Sequence, residues 1–304
     1  RADYDGWAEL GCTGWDYASV LPYFRRSEAN TNADLEDAVH GRDGLLSVSN
    51  QRNANSVDQD FIDAAADMQL RSCDDFNAAE PEGVGLYQFT QKNGKRHSTA
   101  EAFLKPIRAR SNLTIETNAE VLRVDVHDGR ATGVLCRRTD GSPLRIAALG
   151  EVILSAGAIG SPDILLRSGI GPAHEIAAWG GDPVHDLPGV GKNLQDHVDV
   201  MVINKSSSTT PYGISIRALP RLAKDGLSWV FAKRGMLASN MVEAGGFVRT
   251  SAAEPRPDIQ FHIIPGLKSH RGRMVEYGHG MSLHTCVLRP LSRGSVTRNA
   301  TDGS

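Results

Sequence analysis

Residues 150–172, GEVILSAGAIGSPDILLRSGIGP, show the clearest change of hydrophobic pattern along the chain. The aliphatic run 152–154 has the β-branched content of a buried central strand, and we predict a strand there. The run stops at three small residues, Ser155, Ala156 and Gly157. Such residues let a ligand approach the backbone beyond the carboxyl end of a strand. They are also common in ordinary strand-to-helix turns, so this segment alone leaves both interpretations open.

The second half of the same segment predicts a helix. Ser161 offers an N-cap hydroxyl and Pro162 a proline at the first helical position, so we place the helix start there. Gly169 and Pro172 predict the end of the helix. The complete pattern is a strand, a tight loop of small residues and a helix, which is the repeating unit of an α/β sheet.

Alternating patterns elsewhere predict antiparallel structure. The turn-forming sequences HDGR and TDGS occur in a stretch with four predicted strands. We place these strands at 113–117, 120–126, 131–137 and 144–148. Alternation in 226–250 and in 257–265 predicts the antiparallel strands of a second domain.

Composition and charge exclude several classes of partner. The chain has 304 residues, 40% of them hydrophobic and 23% charged, which predicts two globular domains. Its net charge of −3 gives no electrostatic reason to expect nucleic acid or anionic membrane as a partner. No apolar run approaches the roughly 20 residues that span a bilayer. The four cysteines form no CxxC pair, so we expect no metal site.

Several catalytic motifs are missing from the sequence. It contains no GxSxG, no HExxH, no P-loop and no GxGxxG. Serine hydrolase, zinc protease and nucleoside triphosphatase therefore lack motif support. The chain begins with Arg1 and closes on RNATDGS, and we expect it to be an internal fragment that lacks both termini of a longer protein.

The segment GAIGSPDILLRSGIGP resembles the second signature of the glucose-methanol-choline (GMC) flavin oxidoreductases. The resemblance extends, in the family's order, through DYDGW, LPYFRRSE, STAEAFL, RSNLTIET, LPGVGKNLQDH, EAGGF and LRPLSRGSV. It covers nearly the whole chain and points to the choline dehydrogenase and alcohol dehydrogenase branch.

The resemblance implies a mixed fold, α/β (α+β): an incomplete FAD-binding Rossmann-like domain with a second substrate domain built on an antiparallel sheet. It also implies four segments. Residues 1–40 would be a connector that covers FAD, 41–97 the first part of the substrate domain, 98–200 the central part of the FAD-binding domain, and 201–304 the truncated remainder of the substrate domain.

The resemblance also assigns site residues. Ser155, Ala156 and Gly157 would lie beside the adenosine half of FAD, where larger side chains would collide with it. Val121 matches a position whose backbone holds the adenine edge in the family, although a core strand valine is the alternative. Glu243, in NMVEAGGF, would lie near the flavin and contact the substrate, the alternative being a strand glutamate paired with an arginine.

The implied activity is oxidation of a CH–OH group, with hydride transfer to FAD and an alcohol as the substrate. The family's catalytic His lies beyond this chain, so we expect no catalytic residue here, and we interpret Asp196 and His197 as structural residues of a loop signature. Two alternatives are an FAD-containing lyase resembling hydroxynitrile lyase and a non-catalytic module derived from the fold. The electron acceptor could be oxygen, a quinone or another carrier. We expect a cytoplasmic location, with peripheral membrane attachment as the alternative.

Overall fold

The computed structural model describes residues 1–267 and 276–299. These residues form two compact units. Unit 1 comprises residues 1–110 and 197–289, and unit 2 comprises residues 111–196 and 290–304. The segment boundaries after residues 40, 97 and 200 stay predictions.

The described residues contain six α-helices and fifteen short or medium strands. The helices are α1 Ala2–Glu9, α2 Tyr17–Ser27, α3 Ser56–Asp67, α4 Gly157–Arg167, α5 Ala173–Ala178 and α6 Leu219–Ala232. The strands are β1 Glu28–Asn30, β2 Leu46–Val48, β3 Gly83–Leu86, β4 Gln91–Lys92, β5 Lys95–Arg96, β6 Ala119–His127, β7 Arg130–Arg138, β8 Pro143–Ala147, β9 Ile170–Gly171, β10 His185–Asp186, β11 Asp199–Ser206, β12 Gly213–Ile214, β13 Ala244–Val248, β14 Ile259–Ile264 and β15 Gly278–Val287.

Unit 1 is built on a six-stranded sheet. Five of its strands lie in the order β11-β15-β14-β13-β3, and the sixth, β12, pairs with β15. All of these pairs are antiparallel, which confirms the prediction of an antiparallel sheet in the second domain. Ala244, Ile263 and Leu283 lie opposite one another on three adjacent strands and so share one face of the sheet. Val57 and Phe61 of α3 pack on that face. Each large apolar side chain buried there contributes about 1.5–3 kcal/mol.

The helix α6 corrects one prediction. The predicted strand structure at 226–232 is wrong, because these residues form the last two turns of α6. Lys233 follows the helix in a left-handed conformation with φ of 53°. Apolar residues recur at helical spacing from Leu219 through Leu222 and Leu227 to Val230. Within residues 226–232, large apolar side chains also occur at every second position, as they do in a strand. This alternation led to the wrong prediction.

Unit 2 contains the predicted antiparallel meander, with the order β6-β7-β8. The predicted strand at 113–117 is wrong, because the structure has no strand between Ser111 and Asn118. The predicted central strand at 152–154 is also wrong: no described strand pairs with it, and Ile153 is 78% exposed. A strand needs a neighbour to satisfy its backbone groups, and the described residues supply none here.

The helix α4 begins earlier than predicted, at Gly157 rather than at Ser161. The Ser161 hydroxyl does accept a backbone hydrogen bond, but from Ala156 N–H at 3.0 Å, and Pro162 lies inside the helix. Gly157 adopts φ of 81°, a conformation that favours glycine, so the chain can turn there into the helix. The predicted end is confirmed, since Gly169 follows the helix with φ of 77°.

Candidate functional site

The loop of small residues before α4 lies open on the surface of unit 2. Ser155, Ala156 and Gly157 are all exposed. A side-chain Cβ built at Gly157 would meet no atom within 4 Å, whereas one built at Gly171 would meet Leu166 at 2.7 Å. The backbone at 155–157 is therefore accessible to a ligand lying across it, and this feature fits the expected position of FAD.

Val121 lies on β6, which is an edge strand of the meander. Its side chain is half-buried, and the strand register shifts between Val121 and Arg123. Farther along β6, the Ser168 hydroxyl accepts a hydrogen bond from Val124 N–H at 2.8 Å. An edge strand leaves backbone groups outside its own sheet, as a backbone contact to an adenine ring requires.

The start of α4 also borders a surface depression of about 320 Å³. Ala158 and Pro162 line it on the helix side, and Lys192 and Gln195 line it on the loop side. The depression therefore begins one residue beyond the exposed loop 155–157.

Glu243 is fully buried in unit 1, immediately before β13. One carboxylate oxygen accepts a hydrogen bond from Asn55 N–H at 2.8 Å, and the other accepts one from the Tyr212 hydroxyl at 3.1 Å. The backbone carbonyl of Glu243 accepts hydrogen bonds from Tyr87 N–H, at 3.0 Å, and from the Gln51 amide. Among the described residues no lysine or arginine pairs with this carboxylate, and the donors that reach it are uncharged.

Asp58, on the first turn of α3, is the residue beside Glu243 that sequence reasoning missed. Its side chain is fully buried, and it converges with the Glu243 carboxylate on the backbone N–H of Asn55. Its Oδ2 accepts a hydrogen bond from Asn55 N–H at 3.0 Å, and together with the Asn55 side chain it forms a capping box for α3. The sequence did contain a signal for this cap in the spacing Asn55-x-x-Asp58.

Burial and the neighbouring acid shift two pKa values in this cluster. Desolvation, followed by the hydrogen bond and the negative charge of Glu243, raises the pKa of Asp58 well above its ordinary value of 3.8. Desolvation and the Glu243 charge also raise the pKa of Tyr212 far above 10. The Tyr212 hydroxyl therefore stays protonated and donates its hydrogen bond at any physiological pH.

A second buried polar cluster in unit 1 surrounds His40, which is 2% exposed. Its Nδ1 lies 3.0 Å from Glu28 Oε1 and its Nε2 lies 3.0 Å from Asp75 Oδ2. Burial disfavours the charged imidazole, but the hydrogen bonds to the two carboxylates outweigh it and raise the pKa of His40 above 6.5. This cluster was also missed by sequence reasoning.

Two further observations concern metal-type clusters and long apolar helices. In residues 1–267 and 276–299, no group of three or more His, Cys, Asp and Glu side chains could hold a metal ion. Within the same ranges, no helix is both long and apolar enough to cross a membrane.

The chain combines a mixed fold with an antiparallel sheet, an exposed loop of small residues before a helix, and a buried acid beside the sheet. Residues 1–199 match the family model described as GMC oxidoreductase. The chain belongs to the GMC oxidoreductase family, which confirms the resemblance and the expected fold class.

Curated relatives of the chain include dehydrogenases. An "Alcohol dehydrogenase [acceptor]" from Pseudomonas putida is 39% identical over 295 residues, which cover 97% of this chain and 53% of the relative. An "Oxygen-dependent choline dehydrogenase 1" from Chromohalobacter salexigens is 36% identical over 303 residues, which cover 99% of this chain and 53% of the relative. The chain spans about half the length of the curated relatives it matches.

Solved structures agree on the fold. A pyridoxine 4-oxidase from Mesorbium loti is 26% identical, with a TM-score of 0.77, and the match covers 98% of this chain and 54% of that one. A formate oxidase of Aspergillus oryzae is 21% identical with a TM-score of 0.86, covering 98% of this chain and 57% of that one. At this identity, the second likeness concerns the fold alone.

Proposed function

We propose that the protein containing this chain binds FAD and oxidises the CH–OH group of an alcohol. The observation that carries the proposal is the similarity of 97% of the chain to an alcohol dehydrogenase at 39% identity. When bound, FAD would accept a hydride from the alcohol carbon. We propose no catalytic residue within this chain.

The chain would contribute part of the cofactor surface. We propose that Ser155, Ala156 and Gly157 lie under the adenosine half of FAD and that the backbone of Val121 holds the adenine edge. The exposed loop and the open space above Gly157 support the first assignment. The edge position of β6 supports the second.

Glu243 is the proposed substrate residue. A buried carboxylate without a cationic partner among the described residues would stabilise a cationic alcohol such as choline by charge pairing. No part of Glu243 is exposed, so direct contact requires neighbouring side chains to move. We favour a neutral or aliphatic alcohol as the substrate, with choline as the second candidate, because Met241 and Val242 offer no aromatic wall for a cation.

Oxygen, a quinone or another carrier would accept the electrons from the flavin. We place the protein in the cytoplasm, with peripheral attachment to a membrane as the alternative. Neither proposal depends on a particular residue of the described structure.

Anaerobic bleaching of flavin absorbance tests the proposed activity. The complete protein that contains this chain is mixed with choline or with its neutral isostere 3,3-dimethylbutanol, and at least one alcohol should bleach the flavin. In a parallel sample, cleavage of a cyanohydrin to a carbonyl compound and cyanide while the flavin stays oxidised would favour the lyase alternative. Bound flavin with no consumption of either would favour a non-catalytic module.

A matched pair of glycine substitutions tests the cofactor surface. Gly157 and Gly180 both adopt φ of 81°, and a Cβ at either would meet no atom within 4 Å. Gly157→Leu and Gly180→Leu therefore carry similar backbone strain. If FAD lies over residue 157, only Gly157→Leu should lose FAD, as measured by the flavin content of the purified protein. Equal flavin content in the two variants would contradict the assignment.

A further inference from the structure

The structure brings two carboxyl groups together in the interior of unit 1 around one backbone amide. Asn55 N–H lies 3.0 Å from Asp58 Oδ2 and 2.8 Å from Glu243 Oε2. Both acids are fully buried, and an oxygen of each accepts from the same N–H. Two carboxyl groups that converge on one donor lie close enough for a single proton to serve both.

No described cation neutralises this pair. The guanidinium of Arg221, on α6, donates to the backbone carbonyls of Thr209, Thr210 and Pro211. Among the described residues, neither Asp58 nor Glu243 forms an ion pair with a lysine, arginine or histidine. Two adjacent negative charges without a counter-charge in the interior would be very costly.

The hydrogen bonds also differ between the two acids. Glu243 accepts from Asn55 N–H at one oxygen and from the Tyr212 hydroxyl at the other. Asp58 accepts at Oδ2 alone, and no described donor reaches its buried Oδ1. A negative charge is stabilised where donors converge, so the charge belongs on Glu243 and the proton on Asp58.

We propose that Asp58 and Glu243 share a single proton, carried by Asp58, and that Asp58 is thereby the positioning residue that fixes Glu243 as an oriented anion. The Asp58 hydroxyl donates to the Glu243 carboxylate, while the backbone N–H of Asn55 holds both groups. Because Asp58 also caps α3, the orientation of Glu243 is tied to the first turn of that helix. The assignment builds on the substrate role proposed for Glu243, but its test reads protonation rather than turnover, so the two can fail separately.

The groups that face this pair are few in the described structure. Tyr212 comes from the segment before β12, and its hydroxyl donates to Glu243. The charge of Arg221 faces backbone carbonyls of that same segment. His279 of β15 hydrogen-bonds the Pro211 carbonyl and the Ser215 hydroxyl rather than either acid. Among these described groups, Tyr212 alone hydrogen-bonds one of the two acids, and it does so as a donor.

Infrared spectroscopy of the chain tests the proposal. A protonated carboxyl group has a C=O stretch that is distinct from a carboxylate band and shifts in deuterated water. We expect one such band to persist at pH 7 in the wild-type chain and to be lost in Asp58→Asn. Asp67→Asn, an exposed acid on the same helix, is the control and should retain the band.

Two outcomes would overturn the proposal. A band that is unchanged in Asp58→Asn would mean that Asp58 does not hold the proton. A spectrum of the wild-type chain without the band at pH 7 would mean that both acids are ionised.

A second variant keeps the proposal testable if Asp58→Asn fails to fold. Tyr212→Phe removes one donor to the Glu243 carboxylate and keeps the ring. The pair should then hold its proton more tightly, so the pH at which the band disappears should rise by about one to two units. An unchanged or lower pH of disappearance would contradict the shared proton.

Discussion

Two buried acid clusters in unit 1 differ in how they carry a proton. In the first, the imidazole of His40 lies between Glu28 and Asp75 and hydrogen-bonds both carboxylates. In the second, Asp58 and Glu243 converge on Asn55 N–H, and the Tyr212 hydroxyl donates to Glu243. Each cluster places two acidic groups in the interior, yet only the first contains a base that can be protonated near neutral pH.

The difference sets the pH range over which each cluster stabilises the fold. A protonated imidazole offsets two carboxylates, and the raised pKa of His40 extends its protonation above the ordinary value of 6.5. Two carboxyl groups without a base must keep the proton on one of them, and the raised pKa of Asp58 extends that arrangement to higher pH. Both clusters therefore lose stability as the pH rises, but in different ranges.

The largest expected effect is the loss of the bridging imidazole. His40→Ala leaves Glu28 and Asp75 facing each other without a cation, and breaking a buried charged group's pairing in this way costs about 3–5 kcal/mol. Urea unfolding at pH 6 measures the change in the free energy of unfolding. His174→Ala, at a side chain that is 84% exposed, is the control and should change it little. Equal free energies of unfolding for the two variants would contradict a stabilising role for the His40 bridge.

Asp58→Asn should change the pH dependence of stability. Above pH 3.8 and up to the pH at which native Asp58 ionises, the native state keeps a proton that the unfolded chain releases, so the free energy of unfolding falls as the pH rises. One proton corresponds to a slope of roughly 1.4 kcal/mol per pH unit at most. Urea unfolding from pH 5 to pH 8 should show a shallower fall in Asp58→Asn, and an unchanged slope would contradict the prediction.

The pH dependence of His40 should be visible once the Asp58 contribution is removed. In an Asp58→Asn background, the stabilisation from protonated His40 is complete below pH 6.5 and is lost as the pH rises through the raised native pKa. Adding His40→Gln should remove that remaining slope. NMR titration of the imidazole protons gives an independent reading, and a native pKa below 6.5 would contradict the bridge.

Tyr212→Phe should have the smallest effect on stability. It removes one hydrogen bond to a buried charged group, which contributes about 1.5–3 kcal/mol, and the protonated partner Asp58 offsets part of that loss. Thermal unfolding at pH 7 measures the change, with Tyr23→Phe at a 62% exposed side chain as the control. A loss as large as that of His40→Ala would show that Glu243 depends on Tyr212 more than on Asp58.

Sequence patterns predicted well where the signal was local. The turns HDGR and TDGS correctly placed the three strands of the unit 2 meander, and Gly169 correctly marked the end of α4. The segment 152–154 failed because a β-branched run predicts a strand only when neighbouring strands are available to pair with it. The segment 226–232 failed because a few residues of a helical pattern can alternate like a strand.

The sequence by itself determined the GMC family, the mixed fold class and the antiparallel sheet, since these depend on motifs and periodicities within short stretches. Only the tertiary structure decided which groups surround each buried acid. The Asn55 N–H that donates to Glu243 is 188 residues from it in sequence, and the His40 imidazole is 35 residues from Asp75. Whether a buried carboxyl holds a proton depends on the donors and charges that folding places around it, and those neighbours come from distant parts of the chain.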